Sequence, residues 1–189
     1  MRVQLICLVF LVTNVSLANG QVQVPPESGA LSVWEKEPAD FRGVPFGSSE
    51  AEMNKKLGNL ICADIKGNRW CWGNYAIGDT MGSNKFRFHD DKLVEVSYDF
   101  EPKDFEFVKG VFVEKYGPPT TASTAVVENR MGASFLNETL VWNGRNIYLL
   151  LEKYSSKITE STASYWLKSW MESGMKEIEN KKKNAADDL

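Results

Sequence analysis

The chain has 189 residues, of which 43% are hydrophobic, 25% charged and 12% aromatic, and proportions of this kind exclude global disorder. A formal net charge of −3 and a single histidine argue against a nucleic-acid binder and against His-based metal or triad chemistry. The length suits one or two small domains with a real core.

One positive charge at Arg2 precedes the apolar run Leu5-Ile6-Cys7-Leu8-Val9-Phe10-Leu11-Val12, and the small residues Ser16 and Ala18 follow. That order predicts a secretory signal peptide over 1–18, with cleavage after Gly20 as the alternative. The run is too short to span a bilayer, and no other segment approaches that length. Export to the periplasm or the cell exterior is therefore expected. Removing 1–18 would leave 21 basic and 25 acidic side chains, net −4, and two cysteines, Cys62 and Cys71. An even count in an oxidising compartment predicts a disulfide between them.

Residues 19–40 carry Pro25, Pro26 and Pro38 and read as an extended leading segment, with one short strand over 30–34. Ser49 and Glu52 form a capping box at a helix start. Met53 and Leu57 share one face of that helix, and Gly58 ends it. Residues 61–65 and 68–72 flank Lys66-Gly67 and predict a β-hairpin. If Ile65 pairs with Asn68, Asp64 faces Arg69, Ala63 faces Trp70, Cys62 faces Cys71 and Ile61 faces Trp72. The alternation then predicts the disulfide on an outer face and Trp70 and Trp72 toward the core. A loop this short would stabilise the fold by about 2–3 kcal/mol. The spacing is not C-x-x-C, which disfavours a redox-active pair.

Residues 73–84 are turn-rich. Strands are predicted over 85–88 and 93–100, with 89–92 as the turn. In the second strand Val94, Val96, Tyr98 and Phe100 alternate with Glu95, Ser97 and Asp99, the pattern of a half-buried antiparallel strand. Pro102 suits the first turn of a second helix, with Phe105, Val108, Phe112 and Tyr116 at helical spacing and Gly117-Pro118-Pro119 ending it. Strands follow over 120–127, 133–142 and 146–154, the last two joined at Asn143-Gly144, and 159–165 reads as a final strand. From Trp166 to about Lys181 a helix is predicted with Leu167, Trp170, Met171, Gly174, Met175 and Ile178 on one side, and 180–189 as a solvated tail.

Two halves echo each other. Leu57-Gly58 and Tyr116-Gly117 both end helices, and Phe88 with its turn and Leu93 matches Trp142 with its turn and Ile147. The fold class expected is α+β, as two tandem repeats of a helix followed by an antiparallel β-meander, with a C-terminal helix. The repeats span 41–101 and 102–167, and the terminal helix with its polar tail spans 168–189. Gly47, Ser49, Met53, Leu57 and Gly58 resemble the motif G-x-T-x-x-x-V-x-x-x-L-G, which opens the repeat of the small assembly lipoprotein of the outer-membrane β-barrel machinery. The β-lactamase inhibitor proteins carry a similar tandem repeat. The second copy would run over 105–120. The chain departs from that pattern in lacking the lipidated cysteine and in carrying Met53 where valine is usual. The resemblance implies a fold, with membrane assembly or enzyme inhibition as the function that would go with it.

His89-Asp90-Asp91 could be an acid–base or metal group, but its place between two strands predicts a plain turn. No G-x-S-x-G, P-loop, G-x-G-x-x-G or H-E-x-x-H is present. Glu50 with Glu52, and Glu177 with Glu179, read as helix-end or solvated charges. Asn137-Glu138-Thr139 is a glycosylation acceptor motif in a eukaryotic secretory pathway. No catalytic, cofactor or metal residues are therefore expected. The best reading is an exported, non-catalytic protein-binding or envelope-assembly module with a protein partner and no nucleic acid. The alternatives are an inhibitor of a secreted enzyme and a hydrolase with an unrecognised site.

Overall fold

The computed structural model describes residues 34–58, 60–129 and 131–187. The expected signal peptide and residues 19–33 of the leading segment lie outside the described residues, and Trp34 itself belongs to no strand. Two short strands, β1 (Asp40–Phe41) and β2 (Val44–Pro45), form a ladder of their own. Then come α1 (Glu50–Leu57), β3 (Ile61–Ile65), β4 (Asn68–Gly73), β5 (Gly82–His89) and β6 (Lys92–Phe100). A single 3-10 turn (Pro102–Asp104) leads into α2 (Phe105–Tyr116). It is followed by β7 (Thr121–Glu128), β8 (Ser134–Asn143), β9 (Ile147–Glu152), β10 (Ser161–Leu167) and α3 (Lys168–Asp187).

Among the described residues the architecture is mixed, with three α-helices and, besides the β1–β2 ladder, one eight-stranded antiparallel sheet in the order β3-β4-β5-β6-β10-β9-β8-β7. The strands after α1 run outward to inward, and those after α2 run inward from the opposite edge. β6 against β10 joins the two runs. Three connections are two-residue turns with both central residues at positive φ: Arg42-Gly43, Lys66-Gly67 and Asp90-Asp91. That conformation matches the twist of the flanking strands. The capping box at Ser49 and Glu52 is present, and Asp91 Oδ1 accepts a further bond from the Glu50 N–H at 3.2 Å. Three of the orphan donors at the start of α1 are thereby satisfied.

The inner face of the sheet carries Phe86, Phe88, Leu93, Val96, Tyr98, Leu149, Leu151, Ala163 and Tyr165, all buried against Met53 of α1 and Phe105, Val108, Phe112 and Tyr116 of α2. Phe112 meets Tyr116, Trp142 and Tyr165 with ring centroids 5.5–6.2 Å apart. Two indoles finish α2, whose last carbonyls have no partner in the helix. Trp34 Nε1 donates to the Tyr116 carbonyl at 2.8 Å and Trp142 Nε1 to the Gly117 carbonyl at 2.9 Å.

The hairpin register from Ile61–Trp72 to Ile65–Asn68 is the one the turn predicts, and Cys62–Cys71 is a disulfide with Cα atoms 4.0 Å apart. Its face is the reverse of the expectation. Cys71 pairs with Phe86 and is fully buried, whereas Trp70 and Trp72 point to the outer face and are half-buried. The cause lies in the next strand: the phenylalanines of β5 claim the inner face, and the ladder places Cys71 and Arg69 beside them. Arg69 accordingly reaches Glu50 at the start of α1, at 2.8 Å.

Four further expectations are corrected. The β5–β6 register shifts between Arg87 and Phe88, so Leu93, not Val94, joins Val96, Tyr98 and Phe100 on the inner face. β6 is buried on both faces, not half-buried, because it is central and its polar residues are covered by paired side chains. Trp166 and Leu167 end β10; α3 starts only at Lys168 and continues through the expected tail to Asp187. Residues 172–185 of α3 are exposed all round, so Met175 and Ile178 are not covered. Asn137 is buried, and its amide bonds both backbone groups of Tyr154.

Glu37 holds the β8–β9 turn. Its carboxylate accepts the backbone N–H groups of Arg145, Asn146 and Ile147 at 2.9, 2.6 and 2.6 Å. A Cβ at Gly144 would lie 2.5 Å from that carboxylate, so glycine is required for Glu37 to sit there. Glu37→Ala should cost about 2 kcal/mol. Gly144→Ala should cost a similar amount by evicting the carboxylate, and the double variant little more than either alone, as a urea-denaturation cycle would measure. Cys62→Ala/Cys71→Ala should lower stability by about 2–3 kcal/mol in the same assay.

Candidate functional site

Antiparallel partners share a face, so the registers place the outer-face side chains in rows across the sheet. One row reads Ala63, Trp70, Arg87, Glu95, Trp166, Tyr148 and Asn143 from β3 to β8. The next reads Ile61, Trp72, Lys85, Ser97, Ser164, Leu150, Val141 and Thr121, from one edge strand to the other. A third holds Ser83, Asp99, Thr162, Glu152, Thr139 and Ser123.

Aromatic rings and ion pairs alternate on this face. Arg87 lies between two indoles, 4.5 Å from the Trp70 ring and 4.7 Å from the Trp170 ring of α3. Its guanidinium also pairs with Glu95. Stacking and pairing together hold the rings in set orientations. Trp166 packs on Tyr148 at 5.8 Å. Lys85 pairs with Asp99 at 2.5 Å, and Asp99 accepts the Thr162 hydroxyl at 2.6 Å. Ser97 and Ser164 floor a depression of about 260 Å³ walled by Trp70, Lys85, Glu95, Asp99 and Glu160. Trp70, Trp72, Tyr148, Leu150 and Trp166 each keep part of their surface open to solvent.

Burial raises the Glu95 carboxyl above its ordinary value near 4.5, opposed by Arg87, the Trp166 indole and Lys85, and reinforced by Asp99. The ionised form is thus held at a cost. Tyr165, on the inner face, is pushed well above 10 by burial and by Tyr116, whose hydroxyl lies 3.0 Å from its own.

His89 ends β5 and lines a cleft of about 540 Å³ between α3 and the hairpin ends, with Asp90, Lys92, Trp170 and Glu177. Its Nε2 is 3.7 Å from Asp90. The hydroxyl of Ser173, in the same cleft, donates to the Ser169 carbonyl at 2.8 Å. Asp90 and Asp91 form the turn that the sequence predicts, and Asp91 caps α1. Glu50 lies near both cysteine sulfurs, but those sulfurs are spent on the disulfide and offer no thiolate to a metal.

The sequence reading puts Trp70 and Trp72 in the core and misses Arg87 and Glu95. The signal for β5 is present, since Phe86 and Phe88 alternate with Lys85 and Arg87. Its register on β4 is not, because the linking segment 74–81 can be spanned in several registers. No family model, no curated protein and no solved structure matches the chain.

A folded pKa above the unfolded one means that the stability Glu95 contributes is fully present below about pH 4.5 and is lost as pH rises through the folded value. Measured against Glu95→Gln, the wild-type protein should therefore lose relative stability on going from pH 4 to neutrality. Urea denaturation across that range checks it; a wild-type advantage that grows with pH would contradict it.

Proposed function

We propose that this chain is an exported, non-catalytic binding module that takes a protein partner on the outer face of its sheet. The observation that carries this reading is the row of Trp70, Arg87, Glu95, Trp166 and Tyr148, with Trp72 beside it. Partly open tryptophan, tyrosine and arginine side chains held in place by neighbours are the usual anchors of protein interfaces. A rigid strand platform presents them without an ordering cost on binding.

Export is supported by the Cys62–Cys71 disulfide, since such bonds persist in oxidising compartments. Among the described residues no helix is long and apolar enough to cross a membrane. The order of strands supports a duplicated unit: α1 precedes β3 to β6, α2 precedes β7 to β10, and the fourth strands of the two runs pair.

The test is capture from an envelope fraction and from secreted enzymes, followed by hydrogen-exchange mapping of the complex. Protection should fall on β4, β9 and β10, and Trp72→Ala or Tyr148→Ala should weaken binding by more than about tenfold. A partner drawn from the secreted enzymes would make the module an inhibitor. Hydrolysis of a substrate panel that is lost on His89→Ala would overturn the reading.

A further inference from the structure

On the opposite side of the sheet from the tryptophan row, a further cavity of about 340 Å³ lies between the β1–β2 hairpin, the segment 75–78 and the C-terminal half of α2. We propose that it binds a small amphipathic anion, a carboxylate with an apolar body. The volume is at the small end of ligand pockets, about 300–1,000 Å³. Phe41, Tyr75, Phe112 and Tyr165 supply aromatic walls. Those walls are fixed: Phe41 and Phe112 both pack on Tyr165, at 5.9 and 6.2 Å, and Tyr75 is held by a hydrogen bond from its hydroxyl to the Leu57 carbonyl.

Two cations line the same cavity, Arg42 and Lys115. Arg42 occupies the tip of the β1–β2 turn at φ +52°. It stacks 5.3 Å from the Tyr75 ring and donates to the Ala76 carbonyl. One guanidinium nitrogen is used there, which leaves further N–H donors of the fork for a ligand. Lys115 Nζ lies 5.2 Å from the Tyr116 ring. Among the described residues neither cation pairs with a carboxylate. Two unpaired cations beside an aromatic cavity, in a chain with more acidic than basic residues, complement a carboxylate whose apolar body enters between the rings. The cavity is separate from the outer-face platform, so this inference does not depend on a protein partner.

Calorimetric titration of the full chain with octanoate, octanol and octylammonium separates charge from apolar fit. Octanoate should bind at millimolar concentration or below, at least tenfold tighter than octanol, with octylammonium weakest. Lys115→Met or Arg42→Met should bring octanoate down toward octanol. Val111→Trp, which fills the cavity from α2, should abolish binding of both, with an unchanged melting temperature showing that the fold persists. If Val111→Trp unfolds the chain, the two methionine variants alone decide. Equal affinity for octanoate and octanol, octanoate binding that survives the substitutions, or no binding at millimolar concentration would overturn the proposal.

Discussion

The ladder between β6 and β10 is the seam on which the other registers depend. It sets Val96 against Tyr165 and Glu95 against Trp166, and so aligns the strands that follow α1 with those that follow α2. On the inner side this brings Tyr165 under Phe112 and Tyr116. On the outer side it brings Trp166 to the ion pair of Glu95 and Arg87. A one-residue slip would turn both faces over, burying the charges and exposing the tyrosines. The strong alternation on β6 and β10 makes such a slip costly.

A second set of bonds ties distant parts of the chain to that seam. Trp34 and Trp142 both close the end of α2 through indole N–H groups, and Glu37 closes the β8–β9 turn more than a hundred residues away. Each spends a polar group on backbone that would otherwise be left without a partner. The segment before β1 is thus part of the core's framework. It positions the β1–β2 turn, and with it Arg42, beside the cavity under α2.

Much of this was legible from local chemistry. The capping box of α1, the Lys66-Gly67 turn and the Cys62–Cys71 pairing depend on residues close in sequence, and the structure has them where the sequence predicts. What was not legible depends on pairing across long gaps. The face of Cys71 follows from Phe86, whose register no nearby residue sets. Trp166 reads as helix because nothing between Tyr165 and Lys168 marks a strand end or supplies an N-cap. The position of Val94 follows from a bulge, which periodicity alone cannot show. Glu37 carries no local sign of its role, since all its partners lie on another turn. For the outer site the residues were visible as a tryptophan-rich composition, but their assembly into rows required the whole sheet.

The seam also orders events in time. All other neighbours in the sheet are joined by turns or short segments, whereas β6 must wait for residues 161–167 before it acquires its second partner. Long-range closure of this kind is slow relative to hairpin formation. A chain emerging from the ribosome therefore carries β3 to β6 with one side of β6 unpaired until β10 has been made. Its core is completed by β10, whose Ala163 and Tyr165 close the inner face.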